Sequence, residues 1–475
     1  MSAALRITLR ITPRAALGPR RVPRASLPSF APFRSRPPLP QLPSPIPPTP
    51  LLEAFVSGDV TFPATVGQLS VWRDIEKMPP ERRWEANLVF VWDLPAGDWA
   101  EEQVWDALGA LGMRHGSLRT TFDVDAAGFP RQRIAVDTAA EVRDRVRQGT
   151  AAVAEREAME SAQLQRAIDA TCELPWRAWI LTGDGAPVQV LLVINHMAAD
   201  GVAVLVMRED FEQLLRGAEL PPARGPLEMA IDQQGEEGSG RLRTAERYWR
   251  RTLAAAPRLA TGARQGSPLG ATLHTGIPMP HAHEGAAKHD VTLASLVLTA
   301  YYRALREVTA ENAQLLFPMS SNRFDEQHAG VVTSLNQWTP LVLDLDPAEP
   351  FDAIVPKVHW KTFQALKNGV CSPDAILAIR AEQERQDPPV DPGYYYNPIL
   401  APPGFPSEDT MVRPSLEWYE PARSTGPGFY VIARGLTSLD LVVRVNRSGW
   451  DRDTLDRALT SIQSTLAEAL SAHPL

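Results

Sequence analysis

Val193-Ile194-Asn195-His196-Met197-Ala198-Ala199-Asp200-Gly201 ends an apolar run that begins at Val188 and leads into a helical pattern from Val202 to Leu215. A run this short and uniformly apolar predicts a strand with protein on both faces, inside a sheet covered by helices. His196 then leaves the end of a buried strand. There its ring can project into a cleft, where an imidazole titrating near neutrality suits proton transfer. Asp200 follows at a buried corner, a costly place for a carboxylate unless an arginine or several backbone N–H groups meet it. Gly201 permits a positive φ and close backbone approach at the start of the helix. By itself His-x-x-x-Asp reads more readily as a satisfied structural histidine, so the flanking sequence decides.

Working outward, Leu88 to Trp92 reads as a strand and Trp99 to His115 as an amphipathic helix, with Val104, Trp105, Leu108 and Leu111 on one face. Glu141 to Ala170 is charged and alanine-rich, a composition that favours helix. Gly183 to Gly185 is a turn, and residues 217–240, rich in Pro, Gly and acids, read as a linker. Helices are expected over Thr244–Leu253 and Thr292–Arg306, a strand over Leu439–Val445, and a last helix from Thr454 to Ala472 capped by Asp453. Strands and helices alternate irregularly through both halves, an α/β pattern without a short repeat, P-loop or dinucleotide fingerprint.

The 475 residues are enough for two lobes, and 44% hydrophobic with 22% charged content is that of a soluble globular protein. No run approaches the roughly 18 apolar residues of a membrane span. The first 50 residues hold 13 prolines, eight arginines and no acid, which leaves the remainder with 40 basic and 56 acidic side chains, a formal charge of −16. An acidic body repels nucleic acid. The leader itself cannot pack as sheet or long helix. A disordered tail or an over-extended start ranks ahead of a transit peptide, because serine enrichment and clear amphipathicity are missing. Cys172 and Cys371 stand far apart in no motif, as suits a reducing cytoplasm. His274, His281, His283 and His289 read as an exposed loop; they lack the spacing and acidic partners of a zinc site, so no metal is expected.

Five further stretches bear on one family. Thr65-Val66-Gly67-Gln68-Leu69-Ser70-Val71-Trp72, Arg114-His115-Gly116-Ser117-Leu118-Arg119-Thr120-Thr121-Phe122, Leu174 through Leu181, Tyr248-Trp249 and Ser320-Ser321-Asn322-Arg323 fall in that order around the quoted segment. Together they resemble the condensation domains of non-ribosomal peptide synthetases, whose core motif is His-His-x-x-x-Asp-Gly. The resemblance runs from about residue 61 to the end. It departs at the first histidine, replaced by Asn195, and at a Gly-x-x-x-Asn element stretched here to Gly330–Asn336.

The resemblance implies an α/β (α+β, two-layer) fold of two chloramphenicol acetyltransferase-like lobes in a V, with a tunnel between them. Residues 1–58 would be the leader, 59–225 the N-terminal lobe and 226–475 the C-terminal lobe. His196 would be catalytic, supported by Asp200, Gly201, Arg323 and Asn195, with Arg114, Arg119 and Asn336 as motif residues at the lobes or tunnel. Arg323 is the first choice as partner of Asp200 and Arg119 the second, and the Gly201 N–H is a candidate oxyanion donor. The implied activity is stand-alone condensation, joining a thioester-bound acyl or aminoacyl donor to an amine or alcohol in natural-product biosynthesis. No cofactor is expected beyond phosphopantetheine or coenzyme A thioesters as substrates. Carrier proteins acting in trans are the expected partners, with no nucleic acid and no membrane. Two alternatives stay open: a catalytically degenerate docking platform, for which Asn195 speaks, and a coenzyme A-dependent O-acyltransferase.

Overall fold

The computed structural model describes residues 61–471 apart from 222, 259–267, 404–412, 422–425, 436 and 447–449, so the expected leader lies outside the described residues. A four-stranded sheet carries the quoted segment, in the order Asn87–Asp93, Ala186–Asn195, Trp176–Gly183, Arg147–Ala152. Ala186–Asn195 lies inside it. Val190, Leu192 and Ile194 pack into one core and Leu191 and Val193 into another, the two-faced burial expected of a period-2 strand. The first core is closed by the Glu101–Arg114 and Gly201–Leu215 helices, and Val104, Trp105, Leu108 and Leu111 are all buried in it. Asp184 and Gly185 take positive φ in the tight turn between Trp176–Gly183 and its neighbour.

The second, eight-stranded sheet is built from C-terminal segments. Tyr394–Leu400 runs parallel to both Gln314–Ser320 and Phe429–Gly435, and Ser438–Val445 continues antiparallel to Leu269–Pro278. One face packs on the Leu293–Thr309 and Arg452–Ser471 helices through residues such as Tyr396, Val431 and Val443. The opposite face presents Phe317 and Tyr395 to Trp249, Ile376 and Ile379 of the Glu236–Ala254 and Pro373–Glu384 helices. No helix among the described residues is long and apolar enough to cross a membrane.

Several local expectations are corrected. Within Glu141–Ala170 the helices Ala139–Val146 and Arg156–Leu164 flank a strand, Arg147–Ala152, formed by parallel pairing with Trp176–Gly183. The stretch 217–240 is largely helical: Pro226 opens the Pro226–Gln234 helix, and Glu236–Ala254 begins directly after it. The Thr454 N–H is capped by Asp451, not Asp453. His274 lies on a strand beside Asp440, while His281 and His283 lie on the Met279–Lys288 helix.

The two larger of the three sheets are joined by a close seam. The Val66–Lys77 helix sets Gly67 so near the second lobe that a Cβ there would lie 2.1 Å from the Ser334 carbonyl oxygen. Arg73 on the same helix grips Asp374 with two bonds, 2.7 and 3.1 Å. Val332 inserts into the first lobe's core, and Met229 packs on Val331 and Leu335. Gly67→Ala therefore forces backbone apart at the seam, and a loss of about 1–3 kcal/mol is expected, read as a lowered urea midpoint.

Candidate functional site

The strand ladder runs to its last rung, Asn87 opposite Asn195, and the His196 N–H then donates to the Ala86 carbonyl at 2.8 Å. Asn195 is buried and works as a staple: its amide donates to the Ile168 carbonyl at 3.2 Å and its oxygen accepts from the Met197 N–H at 2.9 Å. The turn that presents His196 is thus fixed by side chain as well as backbone. The imidazole itself is only half-buried, and its Nδ1 stands 3.3 Å from Ser334 Oγ across the seam. Sequence reasoning missed Ser334, although it lies inside the Gly330–Asn336 element.

Asp200 is 1% exposed and fully met. One oxygen caps the Gly201–Leu215 helix by accepting from the Ala203 N–H at 2.9 Å. The other accepts from Arg323 Nη1 at 2.8 Å, the Leu335 N–H at 2.8 Å and the Asn336 N–H at 3.3 Å. Arg323 in turn donates to the carbonyls of Ser321, Val331 and Thr333. One carboxylate therefore organises the first turn of a first-lobe helix and a second-lobe loop together.

Gly201 departs from expectation. It takes a helical conformation at the start of its helix rather than a positive φ. A Cβ built there would meet nothing within 4 Å, and no acceptor among the described residues meets its N–H. Space beside a helix's first amide suits an oxyanion.

Arg119 is not brought to Asp200; it donates to the Val136 carbonyl at 3.1 Å and lies 3.6 Å from Asp137. Arg114 and His115 converge on Asp210 of the Gly201–Leu215 helix, at 2.7 and 2.8 Å, and so brace that helix from behind. Burial holds the His115 pKa down, against the pull of Asp210. For Asp210 burial pushes the pKa up, but the His115 and Arg114 bonds outweigh it and leave the carboxyl below the usual range. Asn336 contributes its N–H to Asp200, while its buried Oδ1 meets no partner among the described residues. No group of three metal-ligating side chains occurs among the described residues.

A sequence profile described as Condensation domain matches residues 95–385. The chain is 22% identical over 274 residues to surfactin synthase subunit 1 of Bacillus subtilis (strain 168), covering 55% of this chain and 7% of that protein. It is 27% identical over 293 residues to phosphinothricin tripeptide synthetase PhsC of Streptomyces viridochromogenes, covering 56% of this chain and 26% of the relative. The chain thus spans a small part of the length of either relative. Among solved structures, one showing condensation domain-mediated chain release from the enacyloxin polyketide synthase superposes with a TM-score of 0.68 at 18% identity, covering 88% of this chain and 84% of the other. The SgcC5 protein from Streptomyces globisporus gives a TM-score of 0.62 at 18% identity, covering 86% and 98%. At these identities the likeness is one of fold.

Removing one member of the buried pair leaves the other charge stranded. Arg323→Met is expected to cost about 3–5 kcal/mol. Asp200→Asn combined with Arg323→Met should recover part of it, measured as urea-unfolding free energies of the two variants against wild type.

Proposed function

Because this chain belongs to the condensation-domain family, whose members are acyl-transfer catalysts with the chloramphenicol acetyltransferase-like fold, we propose that it is an active, stand-alone acyltransferase of natural-product assembly. It joins a thioester-borne acyl or aminoacyl group to an amine, with a hydroxyl as the less favoured acceptor. The observation that carries this reading is the placement of His196: a half-exposed imidazole at the end of a buried strand, steadied from both lobes.

With Nδ1 protonated, the ring donates to Ser334 Oγ and carries its lone pair at Nε2. That lone pair accepts the proton released as the acceptor nitrogen attacks the thioester carbonyl, an effect typically worth roughly 10²–10⁴-fold. The Gly201 N–H, at the positive end of its helix, faces the charge that develops on the carbonyl oxygen. Asp200 and Arg323 act at one remove by fixing the loop and helix that carry these groups. Holding both substrates beside one ring supplies the rest through effective molarity. Asn195, in place of the first motif histidine, keeps the turn hydrogen-bonded on both sides, which weighs against reading it as decay toward a platform. The thiols of Cys172 and Cys371 are free, in keeping with a reducing cytoplasm.

A carrier protein acting in trans needs a landing surface, and one local departure from the acidic surface lies on the Phe351–Leu366 helix. Three of the chain's five lysines, Lys357, Lys361 and Lys367, fall on or just after the Phe351–Leu366 helix. Lys357 is neutralised by Glu349 at 2.5 Å. Lys361 and Lys367 flank Trp360 and Phe363, 60% and 41% exposed, which stack edge to face. An exposed aromatic pair rimmed by cations fits an acidic, helical carrier. This helix ends against Ser320, the last residue of the strand that leads to Arg323.

His196→Ala should lower product formation, followed by mass spectrometry, by at least about 10²-fold; equal turnover would end the catalytic reading and leave the platform. Lys361→Glu with Lys367→Glu should raise the KM for a carrier-borne thioester several-fold and leave the KM for a coenzyme A or pantetheine thioester unchanged. Robust turnover of the coenzyme A thioester alone, onto an alcohol and without help from a carrier, would favour the O-acyltransferase instead.

A further inference from the structure

Asn322 stands between the strand that ends at Ser320 and the arginine that meets Asp200. It is 7% exposed and takes the left-handed backbone, with φ 54°, which asparagine tolerates and most residues with a Cβ avoid. Its side chain is fixed in that turn. Ser320 Oγ donates to Asn322 Oδ1 at 2.7 Å and accepts the Asn322 N–H at 3.3 Å. Gly369, just past the Phe351–Leu366 helix, closes on the same spot, for a Cβ there would lie 2.2 Å from Asn322 Oδ1. Held in this way, Asn322 Nδ2 donates to the Leu335 carbonyl at 2.7 Å.

That carbonyl lies in the middle of the loop that reaches His196. Upstream, Arg323 holds the carbonyls of Val331 and Thr333. Downstream, the Gln337 side chain is bonded twice to the Cys371 backbone, donating to its carbonyl at 2.8 Å and accepting its N–H at 3.2 Å. Between these anchors Asp200 takes the Leu335 and Asn336 N–H groups, at 2.8 and 3.3 Å. The Leu335–Asn336 peptide is thus gripped at both ends, its N–H by a long bond to Asp200 and its C=O by a short one from Asn322. Ser334 comes just before it, wholly buried, with Gly67 against its carbonyl and its Oγ 3.3 Å from His196 Nδ1. If the shorter grip is lost, the middle of the loop can turn while both anchors stay in place.

We propose that Asn322 is a positioning residue for the reaction: through the Leu335 carbonyl it keeps Ser334 Oγ on His196 Nδ1, and so keeps the reacting lone pair at Nε2. This deepens the acyl-transfer reading above and rests on it only for what His196 does. The effect is carried by another group, because the partner of one ring nitrogen decides which of the two holds the proton.

Asn322→Gly deletes the amide and accepts the same backbone, so the chain should fold with a urea midpoint close to wild type. The tautomer of His196 is read in the full chain carrying nitrogen-15-labelled histidine, by proton–nitrogen correlation under alkaline conditions, its signals assigned by their absence from His196→Ala. Wild type should show the Nδ1–H form. Ser334→Ala should move the ring toward the other tautomer, Asn322→Gly should move it the same way, and the double variant should match Ser334→Ala alone. Gly369→Ala, which presses on the Asn322 amide and leaves residue 322 unchanged, should act in the same direction. With an acyl-pantetheine and amine pair that wild type turns over, Asn322→Gly should lose about tenfold in kcat while both KM values hold. The proposal falls if wild type lacks the Nδ1–H form, if Asn322→Gly keeps the wild-type tautomer, or if its shift adds to that of Ser334→Ala. A shifted tautomer with unchanged kcat overturns it as well. The expected tautomer shifts without product from wild type would instead sink the acyl-transfer reading and leave the Asn322–Ser334–His196 linkage standing.

Discussion

A single buried carboxylate holds this molecule to one shape. Asp200 could not survive at 1% exposure without its partners. They come from both lobes: a helix amide from the first, a guanidinium and two loop amides from the second. The same bonds fix where the Gly201–Leu215 helix begins and where residues 331–336 lie. Ser334 therefore reaches His196 from across the seam, and Gly67 finds the Ser334 carbonyl against its own Cα. Desolvation makes such a pair poor value as a source of net stability, so what it contributes here is geometry: neither lobe can shift without stranding a charge.

Much of this was legible because it is local. A uniformly apolar strand, a histidine at its end, an aspartate that must be met by donors, and a helix after it are short-range consequences of residue type, and the structure places all four as read. Arg323 was legible only by resemblance, since nothing in its own neighbourhood points 123 residues back to Asp200. The failures share a cause. Arg147–Ala152 is alanine-rich and charged, yet becomes a strand because Trp176–Gly183 offers it an edge. Gly225 and Pro226 look like linker chemistry until the proline proves to be the first residue of a helix.

Charge is distributed with the same economy. The acidic excess sits mainly on outward faces, while cations are placed where something anionic must be met. Arg323 answers a buried carboxylate, Arg73 ties two helices across the seam, and the lysines of the Phe351–Leu366 helix surround an exposed aromatic pair. Arg114 and His115 do a quieter task, bracing the back of the helix that Asp200 caps at the front. Each of these arginines is intelligible from the carboxylate it meets.

Val332, small and buried, shows what this seam asks of a chain still being made. It completes a hydrophobic core whose other members were all translated earlier, from Leu88 to Leu215. As the polypeptide leaves the ribosome, the first lobe can gather its strands but cannot finish: a hole stays open in its interior and Asp200 waits without its arginine. Closure comes only after more than a hundred further residues have emerged, so the nascent first half must stay shielded from solvent and neighbours until its missing piece arrives from downstream.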